Sequence, residues 1–291
     1  MKLKLSATMF MVSSVLLAGC MSTYEPIKVM PSNGERGVPA DYAKFASILG
    51  ASKLQISTPN AKEGSKNEVA TDSNFTGVMD ANFYVDKGSE ALVFKMQGYK
   101  LRNELRILEN FKTDNPDKIY KLSADLMLID PMNAIKNSDP ERDEMTFLQV
   151  HNKGTHDDGK HGAGYIPHPL VRIVWEGERR GIHNHYWAIV KNNAVNCSKE
   201  FGNREKPICK KAYTRYDLGE HDPVNPVHFD ITVGDQRLII DFNGDNVVDH
   251  KLDYWKHMRS YFKAGVYNQF EKGQSEAHFY NLQYSVEETK F

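Results

Sequence analysis

Three short stretches, far apart in the chain, carry side chains that could grip a carboxylate and move a proton beside it. In Leu101-Arg102-Asn103-Glu104-Leu105-Arg106-Ile107, a strand would turn Arg102, Glu104 and Arg106 to one face and Leu101, Leu105 and Ile107 to the other. Two cations flanking a carboxylate make a ladder in which the carboxylate orients the cations. In Phe147-Leu148-Gln149-Val150-His151 the amide of Gln149 and the imidazole of His151 share a face, while Leu148 and Val150 take the core side. In Tyr261-Phe262-Lys263-Ala264-Gly265-Val266-Tyr267-Asn268-Gln269-Phe270, one face has Tyr261, Lys263, Tyr267 and Gln269 around Gly265, and the other has Phe262, Ala264, Val266 and Phe270. The glycine reads as a gap through which a ligand lies close to the backbone. Each stretch thus has an apolar inner face and a polar outer one. If the three strands are neighbours, they build a groove of Arg, Gln, His, Lys and Tyr with no obvious nucleophile.

Arginine, glutamine and histidine suit a carboxylate and the negative charge that grows on it when the neighbouring carbon loses a proton. A tyrosine can serve as acid, base or both, if nearby cations lower its pKa from about 10. The chemistry suggested is β-elimination on a uronic acid polymer, with the C5 proton removed and the glycosidic oxygen expelled from C4. Hydrolysis is disfavoured, because Glu104 is the one carboxylate in the groove set and has no catalytic partner there.

The elements that must position these residues are strands. Alternating runs occur at residues 82–85, 91–96, 101–108, 120–129, 146–151, 171–176, 185–191, 227–233, 237–242, 261–270 and 277–286, separated by turn residues. With few helical patterns among them, this predicts an all-β fold: a two-sheet antiparallel sandwich or jelly roll. Asn243-Gly244 between two such runs predicts a hairpin turn. Aspartates around it superficially resemble a calcium loop, but Leu252 stands where the closing glutamate would be.

Taken in order, Arg102-Asn103-Glu104-Leu105-Arg106, Gln149-Val150-His151 and Tyr261-Phe262-Lys263-Ala264-Gly265-Val266-Tyr267-Asn268-Gln269 resemble the three signature motifs of the alginate lyases of polysaccharide lyase family 7. The resemblance runs from about residue 45 to the C-terminus. It implies a β-jelly roll whose concave sheet holds alginate, and it implies no cofactor or metal. Carried over motif by motif, Arg102, Gln149 and His151 bind and neutralise the uronate carboxylate. Tyr267 is the acid/base at the leaving oxygen, and His151 is an alternative base depending on the epimer attacked. Lys263 and Gln269 bind substrate, Arg106 binds substrate or supports its strand, and Glu104 orients the arginines. Asn103 stands where many relatives have serine or threonine, on the inner face. Valine in the central motif is associated in the family with mannuronate preference.

The rest of the chain bounds the setting. Lys2 and Lys4 precede an apolar run at residues 7–17 that ends in Leu17-Ala18-Gly19-Cys20. This is a signal-peptide layout whose last four residues resemble a bacterial lipobox. The expected organisation is a signal over residues 1–19, a lipid-anchored linker over 20–44 beginning at Cys20, and a lyase domain over 45–291. With Met21 after the cysteine, the expected location is the outer membrane. Net charge is −1, so whole-molecule electrostatics does not point to nucleic acid, and a monomer is expected. Outside the cytoplasm Cys197 and Cys209 are expected to form a disulfide that pins a Lys/Asn/Gly-rich excursion.

Histidines and carboxylates crowd residues 151–168, including His156, Asp157, Asp158, His161 and His168. Four glycines make this a loop at the groove's rim, where His168 or Lys160 could touch substrate. Insertions of this length would close one end of the groove and favour exolytic action. Arg179-Arg180 reads as a solvated turn, and Tyr186-Trp187 as a strand face with a sugar-stacking platform as the other reading. The alternative function is a carbohydrate-binding protein that uses the same basic sheet without turnover.

Overall fold

The computed structural model describes residues 24–136, 144–154, 166–198, 202–256 and 258–289. Among them the chain forms two nine-stranded antiparallel sheets. The front sheet runs, in spatial order, β13 (Tyr213–Glu220), β12 (Ile182–Lys191), β11 (Val171–Arg179), β10 (Glu144–Gly154), β17 (Arg259–Gln269), β6 (Arg102–Ile107), β2 (Ser52–Ile56) and β3 (Asn67–Val69), with β7 (Phe111–Lys112) beside β17. The back sheet runs β1 (Arg36–Gly37), β4 (Phe83–Asp86), β5 (Leu92–Gln97), β18 (Lys272–Glu288), β8 (Lys118–Leu128), β14 (Val227–Gly234), β15 (Arg237–Phe242) and β16 (Asp245–Lys251), with β9 (Ile135–Lys136) against β18. This is the expected antiparallel sandwich of the jelly-roll kind.

Burial of aromatic and branched side chains between the sheets holds them together. Phe147 of the front sheet meets Phe229 of the back sheet edge-on at 5.4 Å, and Phe262 meets Tyr284 at 5.9 Å. Each such side chain, taken from water, contributes roughly 1.5–3 kcal/mol before conformational entropy is counted. Asn103 adds a polar tie across the layers, since its Nδ2 donates to the carbonyl of Asn82 at 2.6 Å. Its inner-face position is therefore as expected, and its role is to join the sheets.

Strict alternation fails at one informative point. The register of β10 shifts between Thr146 and Leu148 against both neighbours. Phe147 and Leu148 consequently both enter the core, while Thr146 and Gln149 both face outward.

Several expectations meet their outcome here. Asn243 and Gly244 have φ of 50° and 85° and close the β15–β16 hairpin, and Leu252 is fully buried, so this region is a turn. Cys197 and Cys209 are disulfide-bonded with their Cα atoms 5.5 Å apart. The segment assigned to a linker differs from expectation from residue 24 onward. Arg36–Gly37 pairs with β4, Tyr24 donates to Asp125 at 3.1 Å, and its ring stacks on His228. Proline-rich composition disguised a stretch whose few apolar and aromatic groups dock on the back sheet. Residues 1–23, with Cys20, lie outside the described residues, as do His156, Asp157, Asp158, Lys160 and His161. Among the described residues no helix is long and apolar enough to cross a membrane.

Candidate active site

The three signature strands are immediate neighbours, in the order β10–β17–β6, and their polar faces point away from the core. Register brings Gln149 opposite Lys263, His151 opposite Tyr261, and Tyr267 opposite Arg102. A cleft of about 340 Å³ opens over them, lined among others by Arg102, Gln149, His151, His168, Tyr267 and Gln269.

Glu104 lies at the centre beneath this cleft, its side chain 3% exposed. It accepts from Gln149 Nε2 and from Lys263 Nζ, and Arg102 Nη1 lies 3.5 Å from it. The carboxylate thus meets three donors at once, and of the two arginines it was expected to orient only Arg102 is among them. Lys263 is 1% exposed, pairs with Glu104 and is not among the residues lining the cleft. Burial pushes its ammonium down to about 7 despite the pairing with Glu104. Where substrate contact was expected of Lys263, the structure turns its ammonium to Glu104. Arg106 is likewise turned aside: its guanidinium donates to the carbonyls of Ile107 and Leu108 and lies 4.0 Å over the Tyr261 ring. Its guanidinium is thus engaged at the end of β6 and is not among the residues lining the cleft.

Arg102 keeps capacity for a ligand. Its guanidinium lies over the Tyr267 ring at 4.5 Å, and its buried Nε has no partner among the described residues. Gln149 has committed one amide hydrogen to Glu104, which leaves the second. Gln269 is oriented by its neighbours, because Arg172 and the Thr146 hydroxyl both donate to its Oε1 and leave its Nε2 to donate elsewhere.

The two proton-transfer candidates are held in opposite protonation roles. His151 Nδ1 lies 3.0 Å from the carbonyl of Asn152, and a carbonyl only accepts, so the ring proton sits on Nδ1 and Nε2 carries a lone pair. Burial, helped by Lys263 and Arg102, depresses its pKa to about 3 and keeps it neutral. Nearby cations would have to lower the pKa of Tyr267 for it to serve readily as a base. Its pKa is instead raised, because burial outweighs the lowering by Arg102 and Arg172. At rest it is a phenol, an acid with a proton to give.

Sequence reasoning missed several cleft residues. Arg172 on β11 lines the cleft and ion-pairs with Glu144. Its signal was present, since Val171, Ile173 and Trp175 alternate with it as core positions. Lys100, Tyr213 and Arg215 also line the cleft. Strand β13 was not foreseen, because Tyr213-Thr214-Arg215-Tyr216-Asp217 has little apolar alternation at an edge strand. His168 is at the cleft as expected, and burial beside Arg172 and Lys191 lowers its pKa to about 4. Among the described residues no three histidine, cysteine or carboxylate side chains gather as metal ligands would. A larger cavity of about 620 Å³ lies on the outer face of the back sheet, but there Lys95 and His278 both pair with Glu276.

Comparison with known proteins gives a consistent picture. A family model described as alginate lyase matches residues 49–286. An alginate lyase of Photobacterium sp. (strain ATCC 43367) is 49% identical over 279 residues, covering 94% of this chain and 96% of its own length. The solved structure of alginate lyase AlyC3 in complex with dimannuronate is 49% identical with a TM-score of 0.84, covering 91% of this chain and 100% of that one. Alginate lyase A1-II', a member of polysaccharide lyase family 7, is 21% identical with a TM-score of 0.60 over 85% of this chain and 99% of its own, a likeness of fold.

Proposed function

The chain belongs to the alginate lyases of polysaccharide lyase family 7, and from that premise we propose how its cleft divides the work of the elimination. The protein is an alginate lyase. In our assignment the uronate carboxylate lies against Arg102 and the free amide hydrogens of Gln149 and Gln269. These donors neutralise the charge that develops as C5 loses its proton. The proton goes to Nε2 of His151, and its bonding pair becomes the C4–C5 double bond. The C4–O bond breaks, and Tyr267 gives its phenolic proton to the departing oxygen. Glu104, held against Lys263, positions Arg102 and Gln149. The observation that carries this division is the bare Nε2 of His151 in the same cleft as a Tyr267 phenol that burial keeps protonated.

The test is incubation with alginate while following the ultraviolet absorbance of the unsaturated product. Folded protein that binds alginate but produces no absorbance rise would favour the non-catalytic binder. Mannuronate-rich blocks are the proposed preferred substrate, supported by Val150 and by the dimannuronate bound to the relative at 49% identity. Faster turnover of guluronate blocks would overturn that preference.

Exolytic action is proposed because Pro167, His168 and Pro169, at the end of the long insertion after β10, border the cleft. Products should then be short from the first time point; an early ladder of intermediate lengths counts against it. The enzyme is further proposed to act as a monomer held at the outer membrane through lipidated Cys20, on the strength of the Leu17-Ala18-Gly19-Cys20 sequence. Cys20→Ala should move it from the membrane to the soluble fraction, and unchanged partitioning would refute the anchor.

A further inference from the structure

Beside the catalytic cleft the front sheet bears a second basin of about 380 Å³, lined by Arg179, Arg180, Ile182, Trp187, Tyr213 and Arg215. Tyr213 and Arg215 line both hollows, so the two are compartments of one groove with the tyrosine as a partition. The partition is fixed in place: Lys191 Nζ lies 5.5 Å over the Tyr213 ring, and His168 meets that ring edge-on at 6.1 Å.

The basin's walls are those of an anion and sugar site. Trp187 is 7% exposed and packs with Val174, Ile189 and Tyr213 on the outer side of the sheet. Among the described residues its indole Nε1 is buried without a partner, and a buried donor left unmade is costly unless something fills its place. Arg179 is anchored through Nε to Glu176, whose other oxygen lies 4.0 Å from Arg215 Nε. Glu176 stands opposite Glu144, and Glu144 is taken by Arg172. Two buried carboxylates therefore back a row of arginines, and Arg180 stands exposed on the turn after β11 with no acidic partner among the described residues. The face presented to solvent carries an excess of guanidinium.

We propose that this basin is a distal uronate subsite, taking the carboxylate and ring of a sugar in the same alginate chain, away from the bond being cleaved. Arg180 and Arg215 meet the carboxylate, Trp187 Nε1 donates to a sugar oxygen, and Tyr213 and Ile182 supply apolar surface. The inference rests on the catalytic reading of the adjoining cleft. It makes the enzyme sensitive to chain length, because a short oligomer leaves the basin empty and forgoes that binding energy.

The experiment compares kcat/KM on a mannuronate hexasaccharide with that on the trisaccharide, for the wild type, Arg180→Ala and Trp187→Phe. For Arg180→Ala the long-to-short ratio should fall about tenfold, the worth of one charge-assisted contact, with the change in KM. Trp187→Phe keeps an aromatic ring without the N–H and should lower the ratio less. A ratio equal to that of the wild type, or the same loss on both substrates, overturns the subsite; the latter marks a structural role. Calorimetric titration of the hexasaccharide into a Tyr267→Phe background reads the basin without turnover. Weaker hexasaccharide binding on adding Arg180→Ala supports the proposal even if the proton-transfer assignment fails, and unchanged binding refutes it.

Discussion

Glu104 is the residue on which the cleft's donors converge, and it touches Gln149, Lys263 and Arg102 while itself almost sealed from water. Glu104→Gln should therefore cost more than a surface pair would. Without that counter-charge the pKa of buried Lys263 falls further and the group must give up its proton on folding, destabilising the fold by about 3 kcal/mol in chemical denaturation. Loosened donors should lower kcat/KM by about 100-fold in the absorbance assay. Tyr267→Phe tests a different link. It removes the proton donor while preserving the ring over which Arg102 lies. Turnover should fall by about 1000-fold with alginate affinity within a few-fold of wild type. Near-wild-type turnover would reject Tyr267 as the acid.

At the scale of elements, the site depends on how closely β17 and β6 approach. Gly265, opposite Glu104 in register, has φ of +140°, and a Cβ there would lie 2.2 Å from the carbonyl oxygen of Asn103. The gap read from the sequence as room for a ligand is filled by the neighbouring strand's backbone. Gly265→Ala should part the two strands, costing about 3 kcal/mol of stability in a denaturant titration and most of the activity. Strand parity made Arg102, Glu104, Gln149, His151, Tyr267 and Gln269 legible as one face, because alternation is local and survives without tertiary knowledge. Depth was not legible. Lys263 shares the parity of Tyr267, yet it is buried against Glu104 and absent from the cleft lining, which only the packed sheet reveals. The edge strand β13 left no periodic trace, so Tyr213 and Arg215 went unforeseen, whereas the outward parity of Arg172 was legible and only its place beside the cleft was not.

For the whole molecule, the back sheet holds a charged cluster remote from catalysis. His228 has Asp125 at 2.8 Å from Nδ1 and Asp230 at 3.3 Å from Nε2, and Tyr24 joins the cluster through Asp125. These carboxylates raise the imidazole to about 9, so the folded state binds a proton that the unfolded chain releases near 6.5. The stabilisation is complete below pH 6.5 and fades as pH rises through 9. His228→Gln should thus be less stable than wild type at pH 6, by about 1 kcal/mol after allowance for solvent screening, with the gap closing by pH 10. Thermal melts of both proteins across that range would reveal a pH-independent difference if the cluster has no such role. The front sheet carries a separate consequence, one of timing. Lys263 closes on Glu104 from 159 residues along the chain, and β17 is inserted between β6 and β10, both made long before it. Such distant pairings form slowly, since much chain must be ordered before they contribute. A nascent chain that has not yet emitted β17 has two orphan strand edges where the floor of the cleft belongs. Catalytic competence should therefore be among the last properties the polypeptide acquires, appearing together with completion of the sheet.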